Sequence, residues 1–382
     1  MTDGTASTHT FHFYRGRVAL YALLQACHLR PGDEVLHQAF TCLAVPSPIV
    51  ALGLRPVYVD VDPKTYNLDP ESLESRITPR ARVLVVQHTF GIPAPMDRIM
   101  AAARRHGLIV IEDCCHTLGS FYQGQRLGSI GDGAFYSYEW GKPIIIGIGG
   151  AATTRSEALA ASLRTLYSGF VEPPWRDTLT IQAQYFAHQT LRRPAFFWKI
   201  REIYHRLSDS GIAVGTYAAE ELSGDVDGEY RRRMAVPFQA RLRRKLTRAE
   251  SNIALRKSLG AQYDESMKQL GVDRPQPPGG SETVYLRYPL LVREKKRVLD
   301  EAQAWKVELG DWYGSPVHPL TETDWKRVGY EKGCCPIAED ICKRVVTLPL
   351  YERLRASDIE RLLSFWEHVR HRGWIDRGQM GA

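Results

Sequence analysis

Cysteine is scarce in this 382-residue sequence, and its arrangement excludes a small disulfide-bonded scaffold. There are seven cysteines, an odd number, and four of them form the adjacent pairs Cys114–Cys115 and Cys334–Cys335. Adjacent cysteines do not have the spacing of a CxxC zinc or redox site. The sequence therefore predicts buried free thiols in a reducing compartment.

Long apolar runs are missing as well. The longest uncharged run, residues 35–54, contains His37, Gln38 and two prolines, which makes it a poor membrane span. Residues 1–13 are polar and lack the apolar segment of a signal peptide. We therefore expect a cytoplasmic protein.

The composition is that of an ordinary globular protein, with 44% hydrophobic and 24% charged residues, which excludes disordered and collagen-like chains. The net charge is only +7, but basic residues cluster at 231–233 and 241–245. Such a cluster suits an anionic partner, for example a phosphate, a nucleotide or a membrane surface. A solvated helix face explains it equally well, and the sequence leaves both interpretations open.

Strand and helix patterns alternate over the first part of the chain. Strands are predicted at 33–36, 56–60, 82–87, 108–112, 134–138 and 144–153, and helices at 18–27, 72–77, 96–106 and 157–167. This alternation, with strands rich in Val, Ile and Leu, indicates an α/β fold with a mostly parallel central sheet flanked by helices. In such sheets, ligands bind beyond the carboxyl ends of the strands.

The remainder of the chain predicts a second, smaller unit. A proline- and glycine-rich linker at 275–280 is followed by mixed strand and helix patterns. We predict a large domain over residues 1–250 and a small C-terminal α+β domain over residues 251–382. The large domain carries a helical, aromatic-rich insert at about 169–228, broken at Pro194.

Four segments together indicate one cofactor. Asp113 ends a hydrophobic strand, Lys142 lies in the loop after the next strand, and residues 147–150 are rich in glycine, which permits close backbone approach. Residues 15–17 precede a helix, whose first amides can hold a phosphate. Pyridoxal 5′-phosphate (PLP) needs a lysine amine for its aldehyde, a carboxylate for its ring nitrogen, and amides and hydroxyls for its phosphate. The sequence therefore predicts a PLP site.

Short motifs in a fixed order resemble the DegT/DnrJ/EryC1/StrS family of sugar aminotransferases, which has the aspartate aminotransferase fold (PLP fold type I). The motifs are PGDEV at 31–35, PVYVDVDP at 56–63, ITPR at 77–80, HTFG at 88–91, IEDCCH at 111–116 and TLPLY at 347–351. The resemblance runs from Gly16 to about residue 165, and more faintly from Tyr230 through the C-terminal domain. Each motif is weak alone, but their common order makes the resemblance specific.

The resemblance implies roles for three residues around the cofactor ring. Lys142 matches the Schiff-base lysine, and Asp113 matches the partner of the pyridinium nitrogen. His116 matches the Gln/His position near the phenolic oxygen of the ring. Judged without the family, the same residues could be a surface lysine, a helix N-cap and a packed structural histidine.

The resemblance also implies a phosphate site. Ser137 matches a phosphate-binding serine five residues before the lysine, and Gly16, Arg17 and Val18 match a phosphate-binding backbone turn. Taken alone, Ser137 could simply cap a turn.

Two further positions depart from the family pattern. An aromatic residue usually flanks the ring where this chain has Cys42, and we expect Phe40 to substitute for it. An asparagine of the partner subunit usually reaches the phosphate, and we expect Arg231 to take that role, because a guanidinium suits a phosphate.

The family resemblance implies amino transfer from an amino acid, by family habit L-glutamate, to a keto sugar that is usually nucleotide-linked, within amino-sugar or natural-product biosynthesis. It also implies a homodimer with shared sites, and neither a nucleic-acid partner nor a metal is expected. The alternatives are another PLP enzyme, such as a lyase or decarboxylase, or a non-catalytic regulatory relative that binds nucleic acid. The insert at 169–228 either packs as a helical hairpin or admits a bulky acceptor, and contact with a membrane surface through Trp198 is a further alternative.

Overall fold

A computed structural model of the chain describes residues 8–191, 197–198 and 228–375. The strands are β1 (His9–Phe13), β2 (Glu34–Gln38), β3 (Thr41–Cys42), β4 (Arg55–Val59), β5 (Ala81–Gln87), β6 (Ile109–Asp113), β7 (Phe121–Tyr122), β8 (Gln125–Arg126), β9 (Gly133–Ser137), β10 (Gly150–Thr154), β11 (Ser281–Glu282), β12 (Arg287–Leu291), β13 (Val317–His318) and β14 (Val345–Pro349). The α-helices are α1 (Gly16–Ala26), α2 (Pro46–Ala51), α3 (Pro70–Arg76), α4 (Met96–His106), α5 (Glu157–Tyr167), α6 (Trp175–Leu191), α7 (Val236–Leu246), α8 (Ala249–Gln269), α9 (Lys295–Ala304), α10 (Pro336–Arg344) and α11 (Ala356–His371). Short 3-10 helices occupy Thr89–Gly91 and Trp325–Val328.

A seven-stranded sheet in the order β1-β10-β9-β6-β5-β2-β4 forms the centre of the fold. The five strands from β9 to β4 are parallel, whereas β10 runs antiparallel to both of its neighbours. Asp113 of β6 pairs with Phe135 of β9, so the carboxyl ends of these strands reach the same edge. The prediction of a mostly parallel sheet is therefore confirmed.

Helices cover both faces of this sheet because its strands are apolar on both faces. One apolar cluster joins Leu20 and Leu23 of α1 to Leu163 of α5 and to the sheet. The other joins Ile99 and Ala103 of α4 to the opposite face. The two clusters fix the strand edge on which the candidate site is built.

The strand predicted at 144–153 begins only at Gly150. Residues 144–146 and 148 are isoleucines, a β-branched run typical of a strand, and residues 144, 146 and 148 are buried. However, Gly147 and Gly149, which flank Ile148, have φ angles of 103° and 150°. The buried isoleucines pack in a cluster with α7. The segment is therefore a buried loop that leads back to the sheet.

The C-terminal part of the chain is built on a second sheet, in which β12 and β14 pair antiparallel. Tyr263 of α8 and Trp366 of α11 lie fully buried in its core. The same cluster includes Phe40 and Phe90 from the first part of the chain, so the two parts share apolar contacts. The domain boundary near residue 250 stays a prediction.

The predicted insert is described in part. Helix α6 covers its first section, while Pro194 and residues 199–227 lie outside the described residues. Trp198 packs against the core of the second sheet, and its indole Nε1 donates a hydrogen bond to the Val307 carbonyl at 2.9 Å. Among the residues that the structure describes, no helix is both long enough and apolar enough to cross a membrane.

Candidate active site

Asp113 lies at the carboxyl edge of the sheet as the last residue of β6, and it is buried. Its carboxylate accepts a hydrogen bond from the Cys115 amide at 2.9 Å. Burial raises the pKa of Asp113, whereas this hydrogen bond and the positive charge of Lys142 act in the opposite direction. Because a desolvated carboxylate is stabilised by a cation, Asp113 fits the protonated ring nitrogen of PLP.

Lys142 lies in the loop that follows β9, and its surroundings hold this loop from two sides. A Cβ added to Gly141 would lie 2.5 Å from the ring of Trp312, so that indole presses against the backbone just before the lysine. On the other side, the Asn252 side chain of α8 donates to the Pro143 carbonyl at 3.4 Å. The charge of Lys142 acts on both Asp113 and His116, which places Lys142 within electrostatic reach of each.

His116 is a fixed, neutral group. Its Nδ1 accepts a hydrogen bond from the Phe90 amide at 3.2 Å, which assigns the ring proton to Nε2, 3.4 Å from the Tyr313 hydroxyl. Burial, and then the charge of Lys142, hold the pKa of His116 well below its usual range. The rings of Phe90 and Trp312 lie nearly parallel to it, at 6.2 and 6.4 Å. His116 can therefore donate one hydrogen bond from Nε2 in a fixed direction.

Three backbone segments meet without intervening side chains where the phosphate is predicted. A Cβ added to Gly16 would lie 2.8 Å from the Ser137 Cβ, and one added to Gly150 would lie 2.5 Å from the Gly16 nitrogen. Arg15, the N-cap residue of α1, makes no side-chain cap hydrogen bond. Because the N-terminus of a helix favours an anion, this cradle fits the phosphate of PLP.

A buried ion pair that sequence reasoning missed stands beside this cradle. Arg15 pairs with Glu139, and both side chains are buried. The Nε of Arg15 also lies 2.6 Å from Glu229, and the Ser137 hydroxyl donates to Glu139 at 3.3 Å. The only sequence signal was an acidic residue two positions after Ser137 and a basic residue just before Gly16. The pair fixes the helix entry against the end of β9.

The remaining predicted residues lie around this centre. Arg17 and Val18 are buried in the first turn of α1. Phe40 is fully buried, with its ring 5.2 Å from that of Tyr313. Arg231 is exposed, and the carbonyl of the next residue in the chain accepts a hydrogen bond from the Tyr14 amide at 3.1 Å, close to the cradle. Their contacts with a cofactor or a partner subunit stay predictions.

Lys142 lines a cleft that is open to solvent. Its lining comes from the lysine loop, the ends of α6 and α7, the start of α8 and the segment before α11. The cationic side chains in the lining are Lys142, Lys245, Arg248, Arg256 and Arg353. This concentration of positive charge suits an anionic ligand.

His88 was left outside the predicted site, and its contacts are those of a structural residue. It lies 3.1 Å from the Glu112 carboxylate, and both side chains are fully buried. Glu112 also accepts hydrogen bonds from three backbone amides, those of Gly128, Ile130 and Gly131. Cys114 lies close enough to complete a metal-ligand geometry with them, but these hydrogen bonds already account for the carboxylate.

The fold, with Asp113 at the end of a central strand and Lys142 in the loop after the next strand, is that of a PLP-dependent aminotransferase. The model of the DegT/DnrJ/EryC1/StrS aminotransferase family matches residues 5–185 and 199–365, and the chain belongs to that family. The predicted family, fold class, enzyme class and cofactor are thereby confirmed.

Individual relatives cover nearly the whole chain. The chain is 29% identical over 361 residues to a UDP-2-acetamido-2-deoxy-3-oxo-D-glucuronate aminotransferase of Pseudomonas aeruginosa, covering 94% of this chain and 86% of that protein. It is 28% identical over 362 residues to a pleiotropic regulatory protein of Geobacillus stearothermophilus, covering 92% and 84%. The X-ray structure of DesV from S. venezuelae matches with a TM-score of 0.74 and 25% identity, covering 95% of this chain and 85% of that one.

Proposed function

We propose that this protein transfers an amino group, with L-glutamate as donor, to the keto group of a nucleotide-linked sugar. The observation that carries the proposal is the position of Lys142, which lies within electrostatic reach of buried Asp113 and lines a cationic cleft. The relative from Pseudomonas aeruginosa is named for amino transfer to a UDP-linked 3-oxo sugar, which supports the same class of acceptor. The product would enter amino-sugar or natural-product biosynthesis.

Each site residue has a defined task in this reaction. When bound, PLP supplies an electron sink for the carbon that loses its proton. The amine of Lys142 takes that proton and returns it. Trp312 and Asn252 hold the loop that carries this amine in place. Asp113 keeps the ring nitrogen cationic, while His116 offers its Nε2 proton as a hydrogen-bond donor.

The cleft supports an anionic acceptor. Lys245, Arg248 and Arg353 lie on three different segments of its wall and present positive charge beside the lysine. A sugar linked to a nucleoside diphosphate carries its negative charge at a distance from the keto carbon. The cations can therefore hold the diphosphate while the keto group reaches Lys142.

We also propose a cytoplasmic homodimer. Helix α6 exposes Trp175, Leu179 and Phe186, which supports an interface between two copies of the chain. The membrane-contact alternative has less support, because the Trp198 indole is already hydrogen-bonded to Val307.

Borohydride reduction of the PLP-loaded protein, followed by peptide mapping, tests the lysine assignment. We expect the label on the peptide that contains Lys142, and a Lys142→Ala variant is the matched control. In a separate sample that has not been reduced, L-glutamate should bleach the cofactor absorbance, and a screen of keto-sugar nucleotides should restore it. A label at another lysine would overturn the assignment, and release of ammonia or carbon dioxide would indicate a lyase or decarboxylase instead.

A regulatory function is the second candidate, because one relative is named a pleiotropic regulatory protein. The presence of both Lys142 and Asp113 favours catalysis. Binding of duplex DNA by protein that fails to react with glutamate would favour the regulatory alternative.

A further inference from the structure

The two adjacent cysteine pairs of the sequence have different surroundings. The sulfurs of Cys334 and Cys335 lie 3.8 Å apart in the short loop that leads into α10. Cys334 is half-buried and Cys335 is buried. Cys114 and Cys115, by contrast, belong to apolar clusters on opposite faces of the central sheet. Of the two pairs, only Cys334–Cys335 therefore combines close sulfurs with access from solvent.

The two thiols of the first pair differ in acidity. A hydrogen bond with Cys335 lowers the pKa of Cys334 and outweighs its partial burial, which acts in the opposite direction; Tyr330 and Arg76 lower this pKa further. The same contact, together with burial, raises the pKa of Cys335. One sulfur is thus disposed to be a thiolate while its neighbour keeps its proton. A low-pKa, accessible thiol next to a second cysteine is the arrangement found in redox-responsive sites.

We propose that Cys334 and Cys335 form a peroxide-reactive modification site that closes to a vicinal disulfide. The Cys334 thiolate attacks one oxygen of hydrogen peroxide, which breaks the O–O bond, gives a sulfenic acid and, after proton transfer, releases water. The Cys335 sulfur then attacks the sulfenic sulfur, forming the S–S bond and releasing a second water. In sum, two thiols lose two electrons and two protons, and one peroxide is reduced to two waters.

The bridge at this site is reducible. Adjacent Cα atoms are about 3.8 Å apart across a trans peptide, below the roughly 4.4–6.8 Å usual for disulfides. Such a bond is strained, and strained disulfides have more oxidising potentials. A thiol reductant should therefore reverse the modification.

The pair lies where the C-terminal part of the chain contacts the end of β4. Asp60, just beyond β4, accepts hydrogen bonds from the amides of Ile337 and Ala338, in the first turn of α10. Arg76 of α3 donates to the Cys334 carbonyl at 2.6 Å. Oxidation of the pair therefore alters the loop through which α10 is anchored to the central sheet.

Mass spectrometry of the full-length, PLP-loaded protein after peroxide treatment tests the proposal. We expect the peptide that contains Cys334 and Cys335 to lose two hydrogens first, and dithiothreitol to restore them. Cys27 is the internal control, because it is also half-buried but burial raises its pKa to about 12. In a Cys335→Ser variant, dimedone should trap a sulfenic acid at Cys334, and in a Cys334→Ser variant neither product should form.

Two outcomes would overturn the proposal. One is oxidation of Cys27 before the pair in the wild-type protein. The other is a stable sulfenic acid or higher oxide at Cys334 with Cys335 still reduced. Both readouts are independent of amino transfer, so they do not depend on the proposed acceptor.

Discussion

Replacement of Gly150 by alanine tests whether the Arg15–Gly16 turn binds the cofactor phosphate. Gly150 opens β10 between Phe13 and Ser137. The added methyl group would lie 2.5 Å from the Gly16 nitrogen and closer still to the Arg15 carbonyl. Both are backbone atoms, so rotation of a side chain cannot relieve the overlap, and the turn itself must move.

The expected magnitude follows from two opposing effects on stability. Overpacking costs about 1–3 kcal/mol, while the lower chain entropy of alanine in the unfolded state returns about 0.4–1 kcal/mol. We therefore expect a net loss of about 1–2 kcal/mol in the free energy of unfolding. Loss of one hydrogen bond to a charged phosphate costs about 1.5–3 kcal/mol, which corresponds to roughly ten- to a hundredfold weaker PLP binding.

Titration of the apoprotein with PLP and with pyridoxal, which lacks the phosphate, separates the two parts of the cofactor. The Gly150→Ala variant should lose affinity for PLP but little for pyridoxal. Gly279→Ala is the matched control, because a Cβ there would meet no atom of the described residues within 4 Å. An equal loss for both ligands, or unchanged PLP affinity despite lower stability, would refute phosphate binding by this turn.

Two further predictions concern acid stability and acceptor binding. Burial lowers the pKa of His37 to about 4 from the usual 6.5, so the unfolded chain takes up the proton first and stability falls as pH drops from 6.5 towards 4. Between pH 7 and pH 5, protonation linked to His37 should lower the free energy of unfolding by about 2 kcal/mol. Urea unfolding of the His37→Asn variant should lack this loss, and the same pH dependence in the variant and the wild type would contradict the prediction. Arg248→Ala should raise the acceptor KM about tenfold with little change in kcat, since the exposed cation holds charge distant from the reacting carbon. Arg370→Ala, exposed on α11 outside the cleft lining, is the control, and an equal effect in both variants would exclude a specific role for Arg248.

The sequence predicted the central sheet well because local signals and tertiary packing agree there. Helix α4 has the predicted bounds, since Gly107 ends it in a left-handed conformation with a φ of 64°. Agreement fails at residues 144–149, where a run of isoleucines has the composition of a strand. Their partners lie on α7, far along the chain, and local periodicity carries no information about such a partner.

Residues of the candidate site could be predicted where a short stretch of sequence is enough to single them out. Asp113 ends a strand, Lys142 follows one, and Asp113 lies in an ordered motif, so the sequence was sufficient to propose both. Glu139 and Trp312 were missed because their importance depends on contacts with Arg15 and Gly141, which folding alone brings near. Of the four cations that join Lys142 in the cleft lining, Lys245 belongs to the basic cluster seen in the sequence, whereas Arg248, Arg256 and Arg353 were missed for the same reason.

The residues proposed for proton transfer and those proposed for acceptor binding come from different parts of the fold. The groups proposed to hold PLP come from the strand ends of the central sheet and the first turn of α1, whose geometry the two large apolar clusters fix. The cleft wall instead combines the end of α6 with Arg353 before α11, where the Arg353 guanidinium donates to the Gln189 side chain at 2.8 Å. Because Gln189 and Arg353 lie outside the strands of the central sheet, substitutions there can change which acceptor fits while the proton transfer at Lys142 continues.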